Sequence, residues 1–153
     1  MTKASKGDPG VVTKYSFVWG WLHLLNHRYG TMSTGQMQVA LTLILFFDLD
    51  YYPTVAELAN ITGLAKSNVS RYVSREMKAG YLEEYIDKDD RRRRKLKPSK
   101  NAKSELEWHR RHVEKIHDLV EKEREAIARN RQKLNFDELM AHMREITAAA
   151  VSK

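Results

Sequence analysis

The ten-residue run 66–75 carries the polar and cationic residues Lys66, Ser67, Asn68, Ser70, Arg71 and Arg75. They alternate with Val69 and Val73, which a helix would turn to the opposite face. Such a set suits recognition of an anionic, edge-reading surface. Asparagine pairs bidentately with adenine and arginine with guanine, while lysine and serine hold phosphate. Ser67 and Asn68 fall where a helix would begin, and free backbone N–H groups there also attract phosphate; Ser67 can equally serve as a plain N-cap. Further on lie four consecutive arginines, Arg91, Arg92, Arg93 and Arg94, preceded by Asp87, Asp89 and Asp90. Between Lys66 and Lys100 there are twelve basic residues against six acidic ones, nearly all of the chain's net charge of +7. A cationic patch this concentrated favours a polyanion, because contact releases the counterions condensed on it.

These side chains need a rigid frame. Pro53 and Thr54 open a short helix from Val55 to Asn60, the turn Ile61-Thr62-Gly63-Leu64 follows, and a second helix spans Ala65 to Lys78. Small Ala59 lets two helices cross closely, Gly63 supplies the positive φ of a tight turn, and Leu58, Leu64, Val69 and Val73 join the pair. This is a helix-turn-helix, whose second helix inserts its N-terminal half into the DNA major groove. Ala79-Gly80 ends that helix, and Tyr81 to Ile86 reads as a strand that Lys95-Leu96-Lys97 can pair back onto. The arginines then sit at the tip of a projecting hairpin, a wing, where a guanidinium can enter the negative minor groove. On this reading Asp90 orients an arginine by a fork-type pair, while Asp87 and Asp89 terminate the turn.

The remaining residues read as helical. Residues 1–12 are expected to form a flexible tail. From Thr13 to Tyr29, one stripe holds Tyr15, Val18, Leu22, Leu25 and Tyr29 and a second holds Phe17, Trp21 and Leu24, so partners are needed on both sides, one of them a second subunit. Ser33 to Gln36 resembles a capping box for a helix running to about Leu49, apolar around nearly its whole circumference and so expected at the centre of the core. Pro98 closes the return strand and Ser99 can cap a long helix. Its heptad-like stripe runs Ala102, Leu106, His109, Val113, Ile116, Val120, Glu123, Ile127, Asn130, Leu134 over about 35 residues. A last helix is expected to bury Phe136, Leu139, Met140, Met143 and Ile146. The fold class is therefore mainly α with a small β-hairpin. A winged helix-turn-helix domain spans 33–98, and a helical dimerisation region spans 13–32 and 99–153.

Several functions are disfavoured. With no cysteine among the 153 residues there is no disulfide, thiolate zinc site or thiol switch. His23/His27 and His109/His112 each place two imidazoles on one helix face, but no clear third ligand accompanies them, so neither metal nor cofactor is expected. No nucleophile–base–orienter set, Gly-rich phosphate loop or credible carboxylate pair is present, so no catalytic residues and no enzyme are expected. The longest apolar run, Val39 to Phe47, falls short of the ~20 residues that cross a bilayer, and the lysine-bearing first ten residues are not followed by an apolar segment. No membrane association is expected, and the location should be cytoplasmic.

The runs Thr54-Val55-Ala56-Glu57-Leu58-Ala59, Gly63-Leu64-Ala65-Lys66-Ser67-Asn68-Val69-Ser70-Arg71, Met77-Lys78-Ala79-Gly80-Tyr81-Leu82 and Asp87-Lys88-Asp89-Asp90-Arg91-Arg92 together resemble the MarR family of bacterial and archaeal regulators. The resemblance covers about residues 54–97. It implies a homodimeric winged-helix regulator of transcription that binds a pseudo-palindromic operator in double-stranded DNA, with release by a small-molecule effector as in many members. It places Ser67, Asn68, Ser70, Arg71 and Arg75 on the recognition helix and Asp90, Arg91 and Arg92 on the wing motif. Effectors in the family often lodge between the dimerisation helices and the winged domain, where Trp19, Trp21, His23, His27, Phe46 and Phe47 are the candidate lining, with Trp19, His23, Phe46 and Phe47 foremost, although aromatic residues at helical spacing are also ordinary core. Two departures stand out. Pro98-Ser99-Lys100-Asn101-Ala102 replaces the family's Leu-Thr-x-x-Gly, and Arg93 and Arg94 are extra arginines expected to add phosphate contact. The alternative, since winged helices are reused, is a protein–protein module whose basic face docks an acidic partner.

Overall fold

The computed structural model of the protein describes residues 9–130 together with Ala141 and Arg144. Among these the element order is α1 (Pro9–Tyr29), α2 (Thr34–Asp48), α3 (Val55–Thr62), α4 (Lys66–Lys78), β1 (Leu82–Ile86), β2 (Arg94–Pro98) and α5 (Ala102–Asn130). The mainly α class with one β-hairpin is as expected. The chain divides into two compact units, Met32–Trp108 and Met1–Thr31 with His109–Lys153.

The first unit is the winged helix. Its core is Val39 and Leu43 of α2, Leu58 of α3, Val69 and Val73 of α4, and Leu82 and Leu96 of the hairpin, with Phe46, Phe47, Val55, Ala59, Leu64 and Tyr72 packed around them. Leu58, Val69 and Leu96 are completely buried. Thr54 and Glu57 form a full capping box on α3: the Thr54 Oγ1 accepts from the Glu57 N–H at 3.2 Å, and a Glu57 carboxylate oxygen accepts from the Thr54 N–H at 2.7 Å. Gly63 ends α3 with φ 69° and its N–H on the Ala59 carbonyl, the left-handed cap that the tight turn demands.

Sequence reading misjudged α2. Its apolar circumference suggested burial all round, yet only Val39 and Leu43 are fully inside, and Leu45 on the opposite face is 56% exposed. Leu41 and Leu49 are exposed with it. The reason is that α3, α4 and the hairpin cover one side of α2 only. The expected capping box is also half made. The Ser33 hydroxyl accepts from the Gln36 N–H at 3.1 Å, but the Gln36 side chain takes Arg75 instead of returning to Ser33.

The hairpin pairs Leu82 with Pro98, Glu84 with Leu96 and Ile86 with Arg94. Leu82 and Leu96 share its inward face and anchor its base. The Leu96 N–H points away from β1 to the Pro53 carbonyl at 2.8 Å, tying that base to the residues before α3. Toward the tip the same face leaves the core, so Ile86 is exposed and Arg94 meets Glu84 at 3.0 Å. The other face carries Lys97 with Glu83 at 3.6 Å, and its ammonium lies over the Tyr85 ring. Ser99 caps α5 as expected, accepting from the Ala102 N–H at 3.2 Å while donating to the Gly80 carbonyl.

In the second unit α1 is described from Pro9, so residues 9–12 are helical where a flexible tail was expected. Trp21, Leu24 and Leu25 are buried on α1, and His109, His112, Ile116 and Val120 on α5. The Tyr29 hydroxyl meets His109 Nε2 at 3.0 Å, with the two rings stacked and Trp21 edge-on to the imidazole. Tyr15 and Val18, from one of the two expected stripes, are exposed. The α5 stripe, on a helix of 29 described residues, is buried in this unit at His109, Ile116 and Val120, and in the first unit at Ala102. Its continuation to Leu134, and the helix expected to bury Phe136, Leu139, Met140, Met143 and Ile146, lie outside the described residues.

Candidate nucleic-acid interface

The candidate residues are gathered on α4. Val69 and Val73 hold its inner face in the core, which turns Lys66, Ser67, Ser70, Arg71 and Arg75 outward; Asn68 is half-buried at the edge. The N-cap is Ala65, with no side-chain cap, so Ser67 lies inside the first turn with its hydroxyl exposed and does not cap the helix. The N–H groups of Asn68 and Val69 both return to the Ala65 carbonyl, which leaves those of Lys66 and Ser67 as the natural donors to an incoming phosphate.

The long side chains are already organised. Arg71 donates from Nη2 to the Asn68 Oδ1, so the two candidate base readers form one hydrogen-bonded pair. Arg75 is drawn toward the start of α2, where Nη1 donates to the Gln36 Oε1 at 3.2 Å, and nearby Tyr72 shares a hydrogen bond with Ser33. These contacts lock α4 to α2 and hold Arg75 at the flank of the outward face of α4.

The wing departs from its sequence reading. The four arginines are not equivalent. Arg94 opens β2 and pairs with Glu84, while Arg93 reaches the Glu57 carboxylate at 2.6 Å. Arg91 and Arg92 at the tip are exposed and, among the described residues, form no ion pair. Asp90 does not fork onto an arginine side chain. Its carboxylate accepts from the Arg92 N–H at 3.0 Å and its carbonyl from the Arg93 N–H at 2.9 Å, because a short carboxylate bonds most easily to backbone two residues on. Asp87 does serve the turn, accepting from the Asp89 N–H at 3.1 Å, and its second oxygen binds Lys95 at 2.9 Å.

The ammonium of Lys95 beside it, followed by the Asp89 N–H, holds the Asp87 carboxyl below the usual carboxylate range. A depressed carboxyl stabilises the fold above its unfolded value, and that stability disappears as pH falls through the folded value, here below about pH 4. Asp87→Asn keeps the oxygen that accepts from Asp89 and loses the charge. The variant is expected to flatten the acid limb of a thermal-melting profile between about pH 4 and pH 2. An acid limb identical to that of the unaltered protein would deny Asp87 this part.

The candidate effector residues fall in separate units. Trp19 stacks on His23 with centroids 5.2 Å apart, and His23 lies edge-on to His27 at 4.8 Å. Burial, and then the neighbouring His27, push the His23 imidazole below its ordinary value. Phe46 and Phe47 pack against the winged-helix core and meet Tyr51 and Tyr52. Among the described residues no three metal-ligating side chains converge, and no helix is long and apolar enough to cross a membrane. The residue that sequence reading missed is Glu57. Its place in the Thr54-x-x-Glu57 box was visible, but its partnership with Arg93, 36 positions away, was not.

Residues 32–93 match the MarR family. No curated protein matches the chain significantly in sequence. Solved structures with a similar fold include Streptococcus pneumoniae FabT in complex with DNA, 16% identical with a TM-score of 0.53, covering 92% of this chain and 88% of that one. The transcriptional regulator Tm0710 from Thermotoga maritima is 19% identical with a TM-score of 0.52, covering 94% of each chain. NadR in complex with 4-hydroxyphenylacetate is 17% identical with a TM-score of 0.53, covering 91% of this chain and 94% of that one. At these identities the solved structures speak for the fold, and the sequence match speaks for one segment: residues 32–93, nearly all of the winged helix-turn-helix, match the MarR family of DNA-binding transcriptional regulators.

Proposed function

We propose that the protein is a homodimeric, sequence-specific regulator of transcription that binds a pseudo-palindromic operator. In this reading it works as a binding protein in the cytoplasm and catalyses nothing. Each α4 enters a major groove and each wing tip lies at the adjoining minor groove, with the two recognition helices about 34–36 Å apart to meet successive turns of one duplex. The observation that carries the reading is the division of labour on α4. Its apolar side is locked in the core by Val69 and Val73, while Lys66, Ser67, Ser70, Arg71 and Arg75 stand outward in the same unit as the exposed Arg91 and Arg92. Support comes also from FabT, a protein of the same fold solved with DNA. A small-molecule effector belongs to the same reading. NadR was solved with 4-hydroxyphenylacetate, and the Trp19–His23 stack offers an aromatic surface on the helical unit.

Fluorescence anisotropy against duplexes selected from a random pool tests it. Arg91→Ala and Arg92→Ala are each expected to weaken binding about equally for selected and unrelated sequences. Each should also shallow the dependence of log K on log salt by roughly two per dimer, one for each lost phosphate neighbour. Unchanged affinity and slope in both variants would remove the wing from the interface. Retention of an acidic protein with no duplex selected at all would instead favour the docking-module reading.

A further inference from the structure

We propose that Glu57 is the positioning residue of the wing, holding the hairpin tip at a set angle to the recognition helix through Arg93. The inference rests on the reading above, in which α4 and the wing grip one duplex together. It starts from how little holds the tip. The hairpin is anchored at its base by Leu82 and Leu96 in the core and by the Leu96 N–H on the Pro53 carbonyl. Beyond Lys95 its strands leave the core, and Ile86, Lys88, Asp89, Asp90, Arg91 and Arg92 are exposed.

One residue reaches back. The Arg93 main chain closes the turn, its N–H on the Asp90 carbonyl and its carbonyl accepting from the Asp87 N–H, both at 2.9 Å. Its guanidinium then crosses to the Glu57 Oε1 at 2.6 Å. Glu57 is itself immobilised from two other directions, by the Thr54 N–H on Oε2 at 2.7 Å and by the Tyr51 hydroxyl on Oε1 at 3.0 Å. Burial alone would raise its carboxyl, but the Thr54 N–H, the Tyr51 hydroxyl and Arg93 outweigh that and keep it ionised. Glu57 lies in the first turn of α3, and Leu58 beside it packs in the same cluster as Val69 and Val73 of α4. The chain of contact therefore runs from recognition helix to α3 to Glu57 to Arg93, and Arg91 and Arg92 immediately precede that fixed point. Arg93, which sequence reading counted among the DNA contacts, becomes the strut that aims the two arginines before it.

The sign of one substitution separates this role from a direct one. Glu57→Gln keeps the side-chain length and one acceptor oxygen, which can still take the Thr54 N–H and complete a capping box, but it puts an amide NH2 in place of the oxygen that accepts from Arg93 and removes the charge that holds it. If Arg93 itself gripped phosphate, or if Glu57 were a bystander, losing a negative charge near a polyanion would leave binding unchanged or tighten it. A strut predicts the opposite for the selected operator. Glu57→Gln and Arg93→Ala are each expected to weaken operator binding about fivefold, the range of one half-exposed ion pair. The double variant should be no weaker than Arg93→Ala alone, because both remove one contact. Hydroxyl-radical footprints should lose the minor-groove protection beside the wing while major-groove methylation protection persists. Melting temperatures of both variants close to that of the unaltered protein would show that the fold is kept. Equal or tighter operator binding by Glu57→Gln, or an intact wing footprint, would overturn the proposal. Failure of the unaltered protein to select any duplex would overturn the DNA reading itself, a separate result.

Discussion

Arg71→Ala is expected to lower affinity for the selected operator by about 1–3 kcal/mol per half-site, roughly five- to more than a hundredfold, while nonspecific duplex binding falls only modestly. Arg71 stands outward from the middle of α4, exposed, with its guanidinium oriented by Asn68. Pairing with Asn68 occupies Nη2 from one side and restricts the rotamers of a side chain that would otherwise lose much freedom on binding DNA. The same pairing makes Asn68→Ala expected to act in the same direction and to be sub-additive with Arg71→Ala, since the two share one contact. Anisotropy titrations on operator and unrelated duplex, at one salt concentration and then across salt, give both numbers. Equal losses on the two duplexes would reduce Arg71 to a phosphate contact and move base reading elsewhere on the helix.

The second large effect is on folding. Leu58→Ala is expected to destabilise the winged helix by about 2–5 kcal/mol, since it removes three carbons from the completely buried side chain that joins α3 to α4. Against a total stability of about 5–15 kcal/mol for a domain, that loss is large and should appear as a lower urea midpoint. Leu96→Ala, at the buried base of the hairpin, should behave alike. Ile86→Ala, on the same face of the same hairpin but 57% exposed, should stay within about 0.5 kcal/mol of the unaltered protein. A similar penalty at all three positions would mean that the hairpin tip is packed and that the division between base and tip is wrong.

What could be read from residues alone was whatever depends on neighbours in the chain. Gly63 had to adopt a left-handed turn, Val69 and Val73 had to face opposite Arg71, and Gly80 had to stop α4, because local backbone geometry and helical spacing leave few other choices. The hairpin and its cationic tip were legible for the same reason, as alternation and turn residues act over a few positions.

Facing, by contrast, was decided in three dimensions. A helix apolar all round, as α2 is, does not say which side its neighbours will cover; only the packing of α3, α4 and the hairpin put Val39 and Leu43 inside and left Leu45 out. Four arginines in a row look equal in a sequence. They became one cross-strand partner of Glu84, one strut on Glu57 and two cations without an ion pair among the described residues, since charge pairing is settled by distance through space and Glu57 lies 36 positions from Arg93 along the chain. Local propensity chose the elements and the residue types on the recognition face; tertiary packing chose which of those charges remain available, because an ion pair or a buried face exists only once remote segments have been brought within a few ångströms.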